Sequence, residues 1–526
     1  MKRKVFLKII TGILLVSLIL KFSILLFFDP WIGNKIQSRI NKMSANFRVE
    51  IGTVQILLFS SGIELKNIIV SRNNDILSDE YFRGSIGSVK FTGINLFKAL
   101  FRNEYEVNEL SISDCSIVGK MQFLENKLPL PAASFSFNIN QINIVNADLR
   151  LEDSFTSKSY LVKEGMLCVY NLQLEKRDTI SRDLFKKFDF SAAELASVSP
   201  DSLYTYAGKG IDYSFSTKML AVKSFVIHPN YTNYDFAARS KYQTDCIECD
   251  FKDLSFNDFE AANFFIAGNV ESSFIKIGTM ELSVFRDKRR EFPHLKKVVF
   301  QEMIYNYPGK LHVDSIRLIS GNITYTEHAE RATESGSLFF NEVHASLYNV
   351  TNDTIYKTQN AYLKLSANAL LMGKGDISIV LNSRIYDSYN MFSLNGTLSA
   401  MEAGELNLFL EKNSFLYITS GTIDKMDFNF IANDSKATGK LTMIYRGLNV
   451  EFKGKPKEGR FGLKDRFISV VLRRKVLNSN TVQNGKVRVG TIDYKRDPER
   501  FLFSYCAKSI LTGIKHSLIK SPNKQK

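Results

Sequence analysis

A mostly β body, led by one N-terminal transmembrane helix and closed by a C-terminal amphipathic helix, is the architecture these 526 residues predict. Three observations carry that reading. Ile9–Phe28 is the single long apolar run in the chain. From Val49 onward hydrophobic residues recur with a period of two, as in strands with one buried and one wet face. Near the end the period returns to that of a helix.

The apolar run comes first. Its twenty residues, at about 1.5 Å each, cover roughly the 30 Å hydrocarbon core of a bilayer. Ile9, Leu14, Leu18, Leu25 and Phe28 lie within it, and Trp31, the only tryptophan, sits where interfacial aromatics anchor a span. Lys2, Arg3, Lys4 and Lys8 precede the run, which predicts a cytoplasmic N-terminus and an exported body. Lys21 interrupts it at a cost of up to about 3 kcal/mol, partly relieved if the ammonium reaches the headgroups two turns away. A cleaved signal peptide would end at a small-x-small site, whereas this run ends Phe27-Phe28-Asp29-Pro30-Trp31. The expectation is therefore an uncleaved, single-pass anchor.

Charge divides the chain. Residues 1–48 hold nine Lys/Arg against one acid, and residues 453–526 hold nineteen against five. With a total of +15, the stretch 49–452 carries a net −7. The first basic end follows from membrane topology. For the second, anionic headgroups fit better than nucleic acid, because no helix-turn-helix, RNA-binding sheet signature or zinc-finger spacing is present.

After the anchor, Ile32, Ile36, Ile40 and Met43 predict a short amphipathic helix over 29–45. Strands follow at Val54-Ile56-Leu58, Ile63-Leu65, Val89-Phe91, Tyr105-Val107 and Leu110-Ile112, with a helical crossover around Leu96–Phe101. Later alternations are Ile211-Tyr213-Phe215, Met280-Leu282-Val284, Ile323-Tyr325, Leu406-Leu408-Leu410, Leu441-Met443-Tyr445 and Leu448-Val450-Phe452. Turns are expected at Ser320-Gly321-Asn322, Asn395-Gly396, Ala403-Gly404 and Ser420-Gly421, and a helix over Asp183–Ala196. Helices are too few to cover both faces of parallel sheets, so the sheet is expected to be antiparallel. It either packs as a row of sandwiches or curls into a groove whose apolar concave face is lined by some of the 41 phenylalanines.

The last helix carries a stripe of Phe503, Ala507, Ile510, Ile514 and Leu518, with Lys508, Lys515 and Lys520 around it. A basic amphipathic helix of this kind suits a membrane surface, and a helix docked on the end of a sheet has the same pattern.

Catalytic and metal motifs are missing: no GxxxxGK[ST], HExxH, GxSxG or EF-hand loop occurs. His312, His328 and His344 fall sixteen apart without cysteine or carboxylate ligands at metal spacing. Asp287-Lys288-Arg289-Arg290 reads as a charged turn. The five cysteines are too few and scattered for a disulfide scaffold, and Cys246-x-x-Cys249 falls in strand and loop rather than at a helix start, so it predicts buried thiols or a local disulfide. The expectation is a non-enzymatic protein with no catalytic residue, cofactor or metal.

Several phrases resemble the AsmA-like family of envelope proteins. They are Asn46-Phe47-Arg48-Val49-Glu50-Ile51-Gly52-Thr53-Val54, Ile86–Phe91, the crossover Asn95–Leu100 and Val107–Ile112. Val313–Leu318 leading into Gly321–Glu327, and Tyr494–Asp497 before the Phe501–Leu518 helix, are similar to further parts of that family. The resemblance implies an inner-membrane anchor with a periplasmic β-groove in a Gram-negative envelope, and a part in phospholipid transport or outer-membrane homeostasis. Phospholipid, in the groove and at the membrane surface, and an envelope protein are the partners it implies, and nucleic acid is not among them. A body of about 480 residues is short for bridging the periplasm alone, which leaves room for a partner or a shuttle. The organisation expected is a tip and anchor at 1–28, a helix and linker at 29–45, an N-terminal β domain at 46–200, a central β-groove body at 201–452 and basic strands plus helix at 453–526. The alternative is an envelope scaffold that binds proteins through its sheet edges.

Overall fold

Strands dominate the computed structural model, which describes residues 29–43, 47–72, 81–95, 104–121, 136–174, 187–357, 362–453, 476–480 and 487–519. The expected anchor, with Ile9, Leu14, Leu18, Leu25 and Phe28, lies outside the described residues, as do the Leu96–Phe101 crossover and the lysine-rich tail from Lys520. Among the described residues no helix is long and apolar enough to cross a membrane. The chain divides into two units, Met1–Lys218 and Met219–Lys526.

The first unit opens with α1 (Asp29–Met43) and continues with β1 (Phe47–Leu57), β2 (Gly62–Arg72), β3 (Tyr81–Thr92), β4 (Glu104–Met121), β5 (Ser136–Asp153), β6 (Ser159–Leu174), β7 (Phe188–Val198) and β8 (Tyr204–Ser214). Each strand pairs with the next, and every pairing is antiparallel except β4 with β5. The predicted helix α1 does specific work at the sheet margin. Asn41 accepts from the Val49 amide (2.7 Å) and donates to the Val49 carbonyl (2.9 Å), while Gln37 accepts from the Ile51 amide (3.0 Å). These side chains occupy the backbone groups that an edge strand otherwise offers to another chain.

The second unit runs β9 (Met219–Pro229), α2 (Asn233–Ala238), β10 (Asp245–Asn257), α3 (Ala261–Ala267), β11 (Val270–Asp287), α4 (Phe300–Tyr305), β12 (Leu311–His328), β13 (Gly336–Thr351), β14 (Tyr362–Leu371), β15 (Gly375–Arg384), β16 (Phe392–Leu398), β17 (Met401–Glu402), α5 (Asn407–Ser414), β18 (Leu416–Ala432), β19 (Lys436–Phe452), β20 (Val489–Lys495) and α6 (Leu502–Leu518). The ladder passes from β9 to β16, then through β18 and β19 to β20, with β17 as a short addition to β18. It does not close into a barrel. Again one pair is parallel, β11 with β12. The strands around the two parallel joints match in length, 18, 18 and 16 residues for β4–β6 and for β11–β13. Among the described strands the antiparallel expectation thus holds for all but two joints.

Strict alternation is interrupted in several strands, and one interruption is shared by neighbours. In β1 the apolar residues are Val49 and Ile51, then Val54 and Ile56; in β2 they are Ile63 and Leu65, then Ile68 and Val70. Ile86, Val89 and Phe91 in β3, Leu110, Ile112, Cys115 and Ile117 in β4, and Ile275, Ile277, Met280 and Leu282 in β11 repeat the spacing. At the break one residue turns left-handed: Asn67 (φ 54°), Asp114 (φ 55°), Asn146 (φ 58°) and Asp253 (φ 54°). Its strand partner is often glycine, because the left-handed residue swings its Cβ across. A Cβ on Gly52 would lie 3.0 Å from that of Asn67, on Gly87 2.9 Å from that of Asp114, and on Gly278 2.8 Å from that of Asp253. Gly52, Asn67, Gly87, Asp114 and Asn146 drop out of successive registers side by side, so a crease crosses β1–β5. Rotating each strand there by one residue keeps the apolar side chains before and after it on one face.

Three local expectations are corrected. Residues 188–196, read as helix, belong to β7, because β6 and β8 pair with them on both sides. Leu406, Leu408 and Leu410, read as a strand, lie in a 3-10 turn and in α5. Asn407 bonds the Ile418 amide (2.8 Å) and carbonyl (2.9 Å), folding that helix-favouring stretch back on β18. Ser320-Gly321-Asn322, Asn395-Gly396 and Ser420-Gly421, read as turns, are inside β12, β16 and β18. Their glycines admit neighbours: the Phe428 ring fills the space of a Cβ on Gly396, and Leu448 packs on Gly421.

Candidate functional site

The apolar face of the first unit is the strongest feature of this half of the chain. Val54, Leu65 and Ile68 form a buried cluster, flanked by half-buried Val49, Ile51, Ile63, Val70, Ile86 and Val89. Val107, Ile139 and Leu172 continue it, flanked by Phe91, Leu110 and Ile142. Among the described residues α1 is the only α-helix of this unit, beside one 3-10 turn at Leu58–Ser60, and it meets the face at one end through Ile36. The crease makes this face continuous: without it, Ile68 and Val70 would project to the opposite side from Ile63 and Leu65.

The opposite face is polar and cross-linked. Glu109 Oε1 accepts from Ser111 Oγ and from Asn143 Nδ2, both at 2.7 Å, and these bonds hold its carboxyl below the usual range. Gln141 reaches Asn143 (2.9 Å) and the Cys168 sulfur (3.3 Å). Beyond it, the Tyr170 hydroxyl donates to Asp189 (2.6 Å), which pushes the phenol well up, and the Phe215 amide donates to the same carboxylate (2.8 Å). Of these, Glu109, Ser111, Asn143, Cys168 and Asp189 line an open hollow of about 390 Å³, committed to one another with no nucleophile among them paired to a free base. Sequence inspection did not single them out; alternating Ser/Glu/Asn/Gln positions were the signal.

In the second unit the apolar face is filled from within. Its largest core gathers Phe392, Leu394, Phe428, Phe430, Leu441, Met443, Tyr445, Ile492 and Tyr505. Helix α6 is seated on β19 and β20 through Tyr505, Ser509, Gly513 and Ser517, its buried residues. Ile510, Ile514 and Leu518 pack against that core as the flanks of the seat, whereas Phe503 is 59% exposed. Lys508 is half-buried and Lys515 exposed, and Trp31, at the other end of the chain, is also exposed. The small residues at 509, 513 and 517 carry the contact, which apolar periodicity did not reveal.

Cys246 and Cys249 are neighbours on β10, each 3% exposed, and both are free thiols. Burial pushes each up to about 11. A redox CxxC needs the opposite environment. Alkylation of the native chain at neutral pH is expected to leave both unmodified, with labelling only after denaturation, read by intact-mass spectrometry. Rapid native labelling would overturn the packing described.

The three evenly spaced histidines do not share a site. His312 bonds Thr351 (3.2 Å) and Asp314 (3.1 Å). His328 is buried, with Nε2 donating to the Ala332 carbonyl (3.1 Å) and Nδ1 bonded to the Tyr234 hydroxyl (2.9 Å). His344 bonds the Ile319 carbonyl. Among the described residues no three His, Cys, Asp or Glu side chains are grouped to hold a metal ion. No protein-family model matches the chain, and no curated protein matches it, so its function has to be argued from the two faces of its sheets.

Proposed function

We propose that this is a membrane-anchored, AsmA-like envelope protein that holds phospholipid acyl chains against the apolar face of its N-terminal sheet and contributes to lipid transport and outer-membrane homeostasis. The observation that carries the proposal is the run of half-buried Ile63, Val70, Ile86, Val89, Leu110 and Ile142 with no described helix over it beyond α1. Acyl chains suit such a face because it is long, one-sided and lined by aliphatic side chains, so contact releases water from apolar surface. The apolar run before residue 29 would hold the body at the inner membrane, where such lipid originates.

The alternative, a scaffold that binds proteins along its sheet edges, loses one edge to Gln37 and Asn41, which bond the outer side of β1. Site-specific photo-crosslinking separates the two. A photoreactive residue at Ile86, Val89 or Leu110 is expected to yield phospholipid adducts in cells, and one at Ser88, Lys90 or Ser111 on the other face is not. Protein adducts alone, or lipid adducts equally from both faces, would sink the lipid reading.

A further inference from the structure

We infer that the connection between β11 and β12, laid against the turn before α6, forms a docking surface for an anionic bilayer. This connection, residues 288–310, runs the length of the strands because β11 and β12 are parallel. It is tied to residues some two hundred positions later. The Lys297 amide donates to the Pro498 carbonyl (2.7 Å), Arg496 Nη2 donates to the Lys297 carbonyl (2.6 Å), and His294 meets Glu499 at 3.1 Å. The Arg500 guanidinium stacks 3.9 Å from the Phe292 ring, and Lys297 lies 4.8 Å from that of Phe501. Two segments that look like surface loops in sequence are thus one built surface.

Its composition indicates the partner. Leu295 is 59% exposed and Phe501 44%, within a setting of Arg290, Lys296, Lys297 and Arg500. Six nearby acids are already engaged: Asp287 by Arg289, Glu291 by Lys241, Glu327 by Lys288, Asp434 by Arg496, Asp497 by Arg500 and Glu499 by His294, which leaves Glu302 as the one acid of the connection outside an ion pair among the described residues. No acid is paired with Arg290 or Lys296 among the described residues. Surplus cations interleaved with exposed apolar side chains suit a headgroup layer, where the charges meet phosphate and the apolar groups enter the acyl boundary. An acidic protein surface would satisfy the cations but leave Leu295 and Phe501 against polar groups. Because α6 presses its own apolar flank into the core, this surface, rather than the stripe of that helix, takes the membrane-contacting role.

This inference shares the lipid chemistry of the proposed function but not its groove. The full chain, held in phosphatidylcholine nanodiscs, is tested for capture of vesicles of phosphatidylcholine alone or mixed with phosphatidylglycerol. Capture of the mixed vesicles only, weakened by salt, is expected. The double variant Arg290→Glu/Lys296→Glu should weaken it roughly tenfold or more, since each basic residue near such a surface contributes about 1 kcal/mol. The same charge change at exposed Lys209 and Lys440 should leave it in place, and Leu295→Asn should reduce it without altering net charge. Capture of neither vesicle, equal capture of both, or equal loss in the two double variants would overturn the inference. Phospholipid co-purifying with the full chain in detergent, before transfer to nanodiscs, is measured in parallel, and its absence there counts against the groove alone. An unchanged urea midpoint of the Arg290→Glu/Lys296→Glu variant shows that any lost capture is not a loss of fold.

Discussion

Valine in place of Gly490 is expected to lift α6 from its sheet and to destabilise the second unit by about 3 kcal/mol, the upper range for overpacking a well-packed contact. A Cβ at this position would fall on the carbonyl oxygen of Gly513, a backbone atom that cannot rotate away. Gly513 has no room to retreat. A Cβ on it would lie 2.8 Å from both Ile492 Cγ1 and Leu441 Cβ, and both of those residues are fully buried. Glycine faces glycine because the helix axis has to come close enough for Tyr505 to reach the Asn433 carbonyl (3.1 Å) while Ser509 and Ser517 turn their hydroxyls back to their own helix. Urea unfolding followed by the tyrosine signal of this half of the chain would measure the loss. A midpoint unchanged from the wild type would show that the helix does not sit on this strand.

Asp114→Val should cost about 2 kcal/mol, whereas Asp114→Asn should be close to neutral. Valine is β-branched and resists a positive φ, while asparagine tolerates the left-handed region. The aspartate also accepts a 2.7 Å bond from Asn146, the next left-handed residue along the crease, and asparagine keeps an oxygen for it. Asp114→Gly separates the two contributions: it frees the backbone, loses that bond, and should fall between the others. Equal stability of the valine and asparagine variants, measured by denaturant unfolding, would mean that the crease does not depend on this conformation. If the crease does govern the apolar face, the valine variant should also lose lipid adducts at Val89, which lies just beyond the row in β3.

How much of this was legible beforehand can be judged element by element. Helix α1 could be read from Ile32, Ile36 and Ile40, and α6 from Ile510, Ile514 and Leu518, because a helix is specified by spacing within one segment. The β character of the body was equally plain. Misreadings arose where a local signal had a nonlocal cause. Gly321, Gly396 and Gly421 looked like turns because glycine frees the backbone, yet here glycine serves mid-strand contacts with residues distant in sequence. Leu406, Leu408 and Leu410 alternate like a strand, but Asn407 bonds Ile418 and the segment coils. The 188–196 stretch had alanines and a glutamate suited to a helix, and pairing on both sides overrode that weak preference.

The candidate surfaces divide in the same way. That one face of each strand is apolar follows from the order of residues alone, and so do the two basic ends and the apolar run at the start. Which residues share that face was decided by the tertiary structure, because a left-handed residue shifts the alternation by one and only its neighbours across the sheet show where. The same holds for the joining of Lys297 to Pro498 and for the partner of α6. A period of two or of 3.6 is written into a single segment, but pairing, register and helix seating are set by free energy gained between segments far apart in the chain, and no local pattern encodes the identity of the partner.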